Sequence, residues 1–116
     1  MSESWPKESR ILKTKDFRRV QRRGKKWKSR DLLFLYMPTK ENKPQIGLVV
    51  SKKVGNAVVR NKVKRQLRES FRKKIHCFQI GVEIVVIAFS SITQKSFSDI
   101  DAQVDYGLQK ITQRCR

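Results

Sequence analysis

The most constraining feature of this chain is an amphipathic helix pattern that follows a Gly55–Asn56 turn and runs to about His76. Apolar residues recur every four positions on one side of the predicted helix: Val59, Val63, Leu67, Phe71 and Ile75. Basic residues recur at the same step on another side: Arg60, Lys64, Arg68 and Arg72. A helix with this periodicity buries its apolar side in its own domain. Its basic side is then available to a polyanion.

The excess of positive charge is confined to the first two-thirds of the chain. The 116 residues carry a formal net charge of +18. Residues 1–80 contain 24 Lys or Arg and 6 Asp or Glu, whereas residues 81–116 contain 4 of each kind. Charge of one sign destabilises a fold by self-repulsion, but it attracts a polyanion and makes binding salt-dependent. The distribution therefore indicates a nucleic-acid-binding surface on an otherwise ordinary scaffold.

The hydrophobic patterning predicts a single α+β domain with element order αβββαβα. The predicted helices cover Thr14 to Arg23, about Asn56 to His76, and a last helix that Ser98 caps. The predicted strands are Lys25–Lys28, Leu32–Met37, Ile46–Ser51 and Val82–Phe89. The last helix is predicted to bury Ile100, Val104, Leu108 and Ile111. Because the long helix joins two strands, we expect a parallel βαβ unit within a mixed four-stranded sheet.

Groups suited to catalysis are sparse in this sequence. The one cluster of acids consists of Asp99, Asp101 and Asp105. Their positions are typical of the first turns of a helix, where carboxylates suit the helix dipole. A protein-held metal or a histidine base is the usual requirement for phosphodiester hydrolysis. We therefore predict no catalytic residue and no metal site in the chain.

The two cysteines and the ends of the chain bear on its location. Cys77 and Cys115 lack the spacing of metal ligands and, with the lone His76, do not form a zinc site. We expect two free thiols in a reducing compartment. No apolar run reaches the roughly 18 residues that span a membrane, and the first residues lack the apolar core of a signal peptide. These features predict a cytoplasmic protein.

Several aromatic residues lie beside basic ones, a combination that suits unpaired RNA bases. Phe17 precedes Arg18, and Phe34 and Tyr36 share one face of the second strand. For Phe17, Phe34 and Tyr36, the sequence is equally consistent with base stacking and with core packing. Trp27 lies among lysines and is expected to be exposed. Core packing is predicted for Phe71, Phe89 and Phe97.

The segment from Gly47 to Arg68 reads GLVVSKKVGNAVVRNKVKRQLR. This segment resembles the signature of the protein subunit of bacterial ribonuclease P, whose Arg-Asn-Arg motif reads here Arg60-Asn61-Lys62. Shorter matches before and after it extend the likeness to roughly residues 10–112. The resemblance therefore predicts a domain over residues 10–112, with a flexible segment at 1–9 and a C-terminal tail at 113–116.

The resemblance implies an αβββαβα fold with a left-handed βαβ crossover, against the right-handed default. It also implies that a partner RNA performs the cleavage, with Mg²⁺ held mainly by that RNA, while the protein binds this ribozyme and the 5′ leader of precursor tRNA. The implied ribozyme contacts are Lys52, Lys53, Asn56, Arg60, Asn61, Lys62, Lys64, Arg65 and Arg68. The implied leader cleft, between the first helix and the sheet, contains Phe17, Arg18, Phe34 and Tyr36.

Three positions depart from the family pattern. Lys62 replaces an arginine, which keeps the charge but loses the bidentate geometry of a guanidinium. Gln21 stands where a second cleft aromatic is frequent, and Phe89 stands where a basic residue is frequent.

Two other functions are alternatives to the one that the resemblance implies. A metal-dependent nuclease acting alone would lose activity on mutation of Asp99 or Asp101, and a basic DNA-binding or ribosomal protein would act without a ribozyme.

Overall fold

The structure is a computed structural model that describes residues 14–78 and 80–115. Its helices are α1 (Thr14–Arg23), α2 (Ala57–Ile75) and α3 (Phe97–Cys115), with a short 3-10 helix at Ser90–Gln94 before α3. Its strands are β1 (Lys25–Lys28), β2 (Leu32–Pro38), β3 (Pro44–Val49) and β4 (Val82–Ala88). The predicted order αβββαβα is confirmed. The segment predicted to be flexible, residues 1–9, lies outside the described residues.

The four strands form one mixed sheet in the order β1-β2-β4-β3. β1 pairs with β2, and β2 with β4, in the antiparallel sense. β3 and β4 are parallel neighbours, and α2 connects them. The predicted βαβ unit in a mixed four-stranded sheet is therefore confirmed. The left hand of its crossover stays a prediction.

The two faces of the sheet carry different cores because successive strand side chains point to opposite sides. The side chains of Phe34, Tyr36, Ile84 and Val86 pack in one large cluster with the apolar residues of α2 and α3. On the other face, a smaller cluster contains Val20 of α1, Leu35 and Val85. The predicted apolar faces of the long helices are buried, except that Val59 at the start of α2 is only partly buried. The buried positions are Val63, Leu67, Phe71 and Ile75 in α2, and Ile100, Val104, Leu108 and Ile111 in α3.

The last helix differs from the prediction at its start. Its first turn is capped by Ser96, whose Oγ accepts a hydrogen bond from the Asp99 amide at 3.2 Å, so the predicted cap at Ser98 is wrong by two residues. The helix continues to Cys115, and near its end Arg114 donates to the carbonyl of Lys26 and to the hydroxyl of Tyr36. The domain boundary at residue 112 stays a prediction.

Among the described residues, no helix combines the length and the apolar character needed to traverse a bilayer.

Candidate nucleic-acid interface

The turn between β3 and α2 presents two lysines to solvent. The amide of Val54 donates to the carbonyl of Ser51 at 3.0 Å, which closes a tight turn. The Val54 side chain is buried in the main core and anchors the turn there. Lys52 and Lys53, at the two central positions of the turn, are exposed. The buried Val54 side chain therefore holds the turn against the domain and leaves Lys52 and Lys53 on its solvent side.

The start of α2 is held by two of the predicted RNA contacts. Asn56 is the N-cap, and its Oδ1 accepts a hydrogen bond from the Val59 amide at 3.0 Å. The Arg60 Nε donates to the carbonyl of Gly55 at 3.2 Å, which ties the helix back to the turn. The first turn of α2 contains no acid. Its amide end therefore presents an uncompensated positive potential, of the kind that attracts phosphate.

The predicted ribozyme contacts occupy the turn and the solvent side of α2, and we call this set the α2 cationic surface. It consists of Lys52, Lys53, Asn56, Arg60, Asn61, Lys62, Lys64, Arg65 and Arg68. Arg60 and Lys64 are half-buried at the border of the helix's apolar side, and the other seven are exposed. In the described part of the chain, no carboxylate lies within ion-pair distance of any of its cations. Its charge is therefore available to a partner.

The α2 cationic surface ends before Arg72, which pairs with an acidic residue of the same helix. Arg72, the last member of the predicted basic stripe, pairs with Glu69 through Nη2–Oε1 and Nε–Oε2 distances of 2.6 and 3.1 Å. The hydrogen bond from Arg72 lowers the pKa of Glu69, against a smaller opposing effect of burial. Arg72 is therefore engaged within its own helix, unlike Arg68 and Arg65, which lie one and two turns before it.

The acidic residues of α3 are dispersed. Asp101 accepts hydrogen bonds from Lys74 Nζ at 2.5 Å and from Ser70 Oγ at 2.7 Å, which links α3 to α2. Burial raises the pKa of Asp101, but the bonds from Lys74 and Ser70 outweigh it, so the net pKa is lowered. Asp99 is exposed, and Asp105 accepts from Gln109. Within residues 14–78 and 80–115, no three His, Cys, Asp or Glu side chains form a group that could hold a metal ion.

The second candidate surface lies where α1 crosses the sheet. The ring of Phe17 lies directly over Gly47 of β3, where an added Cβ would be 2.3 Å from the Phe17 Cζ. The absence of a side chain at Gly47 therefore sets how closely α1 approaches. The Arg19 guanidinium donates to the buried Glu83 carboxylate of β4 at 2.6 Å and lies 3.1 Å from Asp16. The hydrogen bond that Arg19 donates to Glu83 raises the pKa of Arg19, so this anchor stays charged.

We call this side of the sheet the α1 face. Its apolar residues are Phe17, Val20, Leu33, Leu35, Met37, Val49, Val85 and Ile87. Leu33, Val49 and Ile87 are only partly covered. Lys26 and Lys28 of β1 lie opposite Leu35 and Leu33 in register, which places both lysines on this face. With Arg18 exposed on α1, the face combines an apolar surface with cations at its border, an arrangement suited to unpaired nucleotides.

Two of the predicted cleft residues lie on the opposite face. Phe34 and Tyr36 are fully buried beneath α3, with Phe34 against Gly107. The Tyr36 hydroxyl accepts a hydrogen bond from Arg114 Nη1 at 3.2 Å. Their assignment to a cleft with Phe17 is therefore wrong, and Leu33 and Leu35 occupy that face instead. The alternation along β2 was readable in the sequence, but which helix covers each side of the strand was not.

The remaining aromatic residues also differ from expectation. Trp27, expected to be exposed, is half-buried, with its ring centroid 5.6 Å from that of Phe34 and 5.4 Å from that of Tyr106. Phe71 is fully buried as predicted. Phe89, predicted to be a core residue, is only half-buried and has the Lys28 ammonium 5.5 Å from its ring centroid. The sequence indicated neither the Trp27–Tyr106 contact nor the Lys28–Phe89 contact, because each joins residues that are distant along the chain.

Comparison with known proteins places these surfaces in context. A sequence model of the ribonuclease P family matches residues 5–112. The ribonuclease P protein component of Clostridium botulinum strain 657 is 40% identical over 105 residues, which cover 90% of this chain and 95% of the relative. The corresponding protein of Clostridium acetobutylicum is 42% identical over 101 residues, which cover 84% of each chain.

Solved structures give the same grouping. The structure of the Staphylococcus aureus RNase P protein matches with a TM-score of 0.80 at 30% identity, covering 93% of this chain and 98% of that one. The RNase P protein from Thermotoga maritima in complex with 1-(4-fluorophenyl)-2-thiourea matches with a TM-score of 0.79 at 27% identity, covering 85% of this chain and 96% of that one.

Proposed function

Because the chain belongs to the ribonuclease P protein family, we propose that its two surfaces bind two different RNAs of one holoenzyme. Members of this family are subunits of an endoribonuclease. As a member, the protein assists the RNA subunit in removing the 5′ leader from precursor tRNA. In this proposal the α2 cationic surface binds the RNA subunit, and the α1 face binds the leader.

The assignment of the RNA subunit to the α2 cationic surface rests on its charge and rigidity. Its lysines and arginines have no carboxylate partner among the described residues, and most are fully exposed. They are carried by a 19-residue helix whose opposite side is packed in the main core. Val58, in the first turn of the helix, is the one large apolar side chain of α2 that is strongly exposed among the described residues, so the surface consists mainly of cations. A fixed array of cations suits the phosphates of a folded RNA, whose bases are already paired.

The assignment of the leader to the α1 face rests on its mixed character. Phe17 is half-buried over Gly47, and Arg18 is exposed beside it. Leu33, Val49 and Ile87 offer apolar surface next to them. Single-stranded nucleotides bind where aromatic and apolar side chains meet cations, because their bases are free to stack. The leader of precursor tRNA is such a strand.

Two further points complete the proposal. In this proposal Mg²⁺ serves the holoenzyme and is held mainly by the RNA subunit, as the resemblance to the family implies. The protein acts in the cytoplasm, where precursor tRNA is processed in a bacterial cell. The role of the chain is thus binding and positioning, and the phosphodiester is cut at a centre built by RNA.

The observation that carries the proposal is the unpaired α2 cationic surface on a domain without a cluster of metal donors among its described residues. A precursor-tRNA cleavage assay at low Mg²⁺ tests it with protein alone, with a bacterial ribonuclease P RNA alone, and with both. We expect no cleavage by protein alone and a strong increase when protein is added to the RNA. Cleavage by RNA-free protein that is lost in Asp99→Asn would instead establish a protein nuclease.

A further inference from the structure

We propose that Phe89 and Lys28 form a second base-stacking site on the α1 face, which binds the leader nucleotides nearest the cleavage site. This inference rests on the proposed role of the α1 face and adds to it a residue pair and an order of contacts. Neither residue belongs to α1, and Phe89 lies beyond the end of β4.

The backbone places Phe89 on the α1 face. Its φ and ψ of −86° and 158° are extended, so the alternation of β4 continues through it. Its amide donates to the carbonyl of Asp31 at 2.9 Å, which prolongs the hydrogen bonding between β4 and β2 by one step. Because Val85 and Ile87 face α1, the next odd-numbered position faces the same side.

The position of Lys28 agrees independently with this placement. Lys28 lies opposite Leu33 in the β1–β2 register, and Leu33 belongs to the α1 face. Its Nζ lies 5.5 Å from the centroid of the Phe89 ring, a cation–π distance. Both side chains are accessible, since Phe89 is half-buried and Lys28 is exposed. An unpaired base can stack on this ring while the flexible ammonium moves to the adjacent phosphate.

The two aromatic sites are separated by a fixed distance along the sheet. Phe17 lies over Gly47, and Gly47 pairs with Val85. Phe89 follows Val85 by four residues, or about 13 Å of extended strand. The partly covered side chains of Leu33, Val49 and Ile87 belong to the same face between these points. A single strand can therefore run along apolar surface from one ring to the other.

The parallel pairing of β3 and β4 gives the direction of that strand. Val49, the last residue of β3, pairs with Ile87, so Phe89 lies at the same sheet end as the turn carrying Lys52 and Lys53. That turn belongs to the α2 cationic surface, which binds the RNA subunit in the proposed function. A leader leaving the catalytic centre on that RNA would meet Phe89 first and Phe17 afterwards.

The test uses holoenzyme reconstituted with a bacterial ribonuclease P RNA and precursor tRNAs whose leaders are shortened one nucleotide at a time from the 5′ end. With a long leader, Phe89→Ala and Phe17→Ala should each weaken binding about 5-fold or more, as the loss of a stacked base does. As the leader is shortened, the effect of Phe17→Ala should disappear first, while that of Phe89→Ala persists. Binding of mature tRNA should be unchanged in both variants.

Two variants separate stacking from packing. Phe89→Leu keeps apolar volume without an aromatic ring, and it should bind precursor tRNA as weakly as Phe89→Ala does. Phe97→Ala is a matched control, because Phe97 is also half-buried and has the Lys73 ammonium 5.5 Å from its ring, but lies at the start of α3. This control should bind every leader normally. Unfolding curves establish that each variant is folded before its binding is compared.

The outcomes distinguish the inference from the proposed function. Normal binding by Phe89→Ala, together with weak binding by Phe17→Ala, would overturn the second site and leave the leader role of the α1 face standing. If Phe89→Leu bound precursor tRNA normally while Phe89→Ala bound it weakly, Phe89 would act by packing and not by stacking on a base. If the effect of Phe89→Ala disappeared at longer leaders than that of Phe17→Ala, the proposed order of contacts would be reversed.

Discussion

The α2 cationic surface and the α1 face carry positive charge in different settings. On α2 the cations project from a helix whose other side is buried in the main core, and Val58 is its one strongly exposed large apolar side chain among the described residues. On the α1 face the cations border apolar side chains that are only partly covered. The first arrangement recognises phosphates alone, whereas the second also offers surface to bases. Under the proposed function, this difference lets one basic domain bind a folded RNA and an unpaired strand at separate surfaces.

The two regions also differ in how they are held. The α2 helix contributes Val63, Leu67, Phe71 and Ile75 to the larger cluster and is linked to α3 through Asp101. The α1 helix contributes Val20 as its one fully buried apolar residue among those described, with Phe17 partly covered. The Arg19–Glu83 pair supplies a polar anchor. The position of α1 is therefore more sensitive to single substitutions than that of α2.

The largest expected effect comes from removing charge on α2. Arg65→Ala with Arg68→Ala should weaken binding of the RNA subunit about 100-fold, or about 1.4 kcal/mol for each arginine. The slope of log affinity against log salt should fall by about two, because two phosphate contacts are lost. Titration of labelled RNA at several salt concentrations measures both. Arg72→Ala, which removes the partner of Glu69, should change the slope little, and an equal change would mean that total charge matters rather than the surface.

The next largest effect separates the two regions. Phe17→Ala should weaken binding of precursor tRNA to the holoenzyme by about 1–3 kcal/mol if a base stacks there. Binding of mature tRNA and of the RNA subunit itself should be unaffected, since neither presents an unpaired leader to the α1 face. Equilibrium binding of precursor and mature tRNA to one preparation provides the comparison. Equal losses for both tRNAs would identify Phe17 as a residue of the core alone.

A third substitution perturbs the α1 face without touching an aromatic residue. Gly47→Ala places a Cβ within 2.3 Å of the Phe17 Cζ, so the ring and α1 must move. We expect a loss of stability of about 1–3 kcal/mol, typical of overpacking. Precursor binding should weaken to a degree no greater than in Phe17→Ala, while the affinity for the RNA subunit is kept. A combined variant adds a check, because Gly47→Ala should cost no further leader binding once Phe17 is alanine.

The smallest expected effect concerns the link between α2 and α3. The folded-state pKa of Asp101 is lowered, so the ionised carboxylate stabilises the fold above the ordinary aspartate pKa. This contribution is lost as the pH falls through the lowered value. Asp101→Asn should therefore reduce stability at neutral pH by less than about 1 kcal/mol, as for exposed ion pairs. Denaturation curves of the two proteins should converge at acidic pH, and a gap that persisted there would refute an ionic origin.

The helices and strands could be located from the sequence because apolar residues recur at a different spacing in each type of element. The α2 pattern of Val63, Leu67 and Phe71 recurs at the helical step, and the run from Val82 to Ala88 is apolar enough for a buried strand. Local chemistry fixed some ends as well, as the Asn56 cap of α2 shows. The start of α3 was placed two residues too late, because Ser96 and Ser98 are both suitable caps by residue type and only the structure shows that Ser96 accepts from the Asp99 amide. The contacts of Arg114 with Lys26 and Tyr36 near the end of α3 have no local signal in the sequence.

The amino-acid sequence by itself determined the α2 cationic surface, because the residues of one helix keep their relative positions wherever the helix is placed. The α1 face was decided by tertiary structure. Alternation along β2 separates Leu33 and Leu35 from Phe34 and Tyr36, but which set meets α1 depends on how three helices are distributed over the two faces of the sheet. Lys28 meets Phe89 only because β2 pairs with both β1 and β4. Such contacts join residues that are distant along the chain, and periodicity carries no information about them.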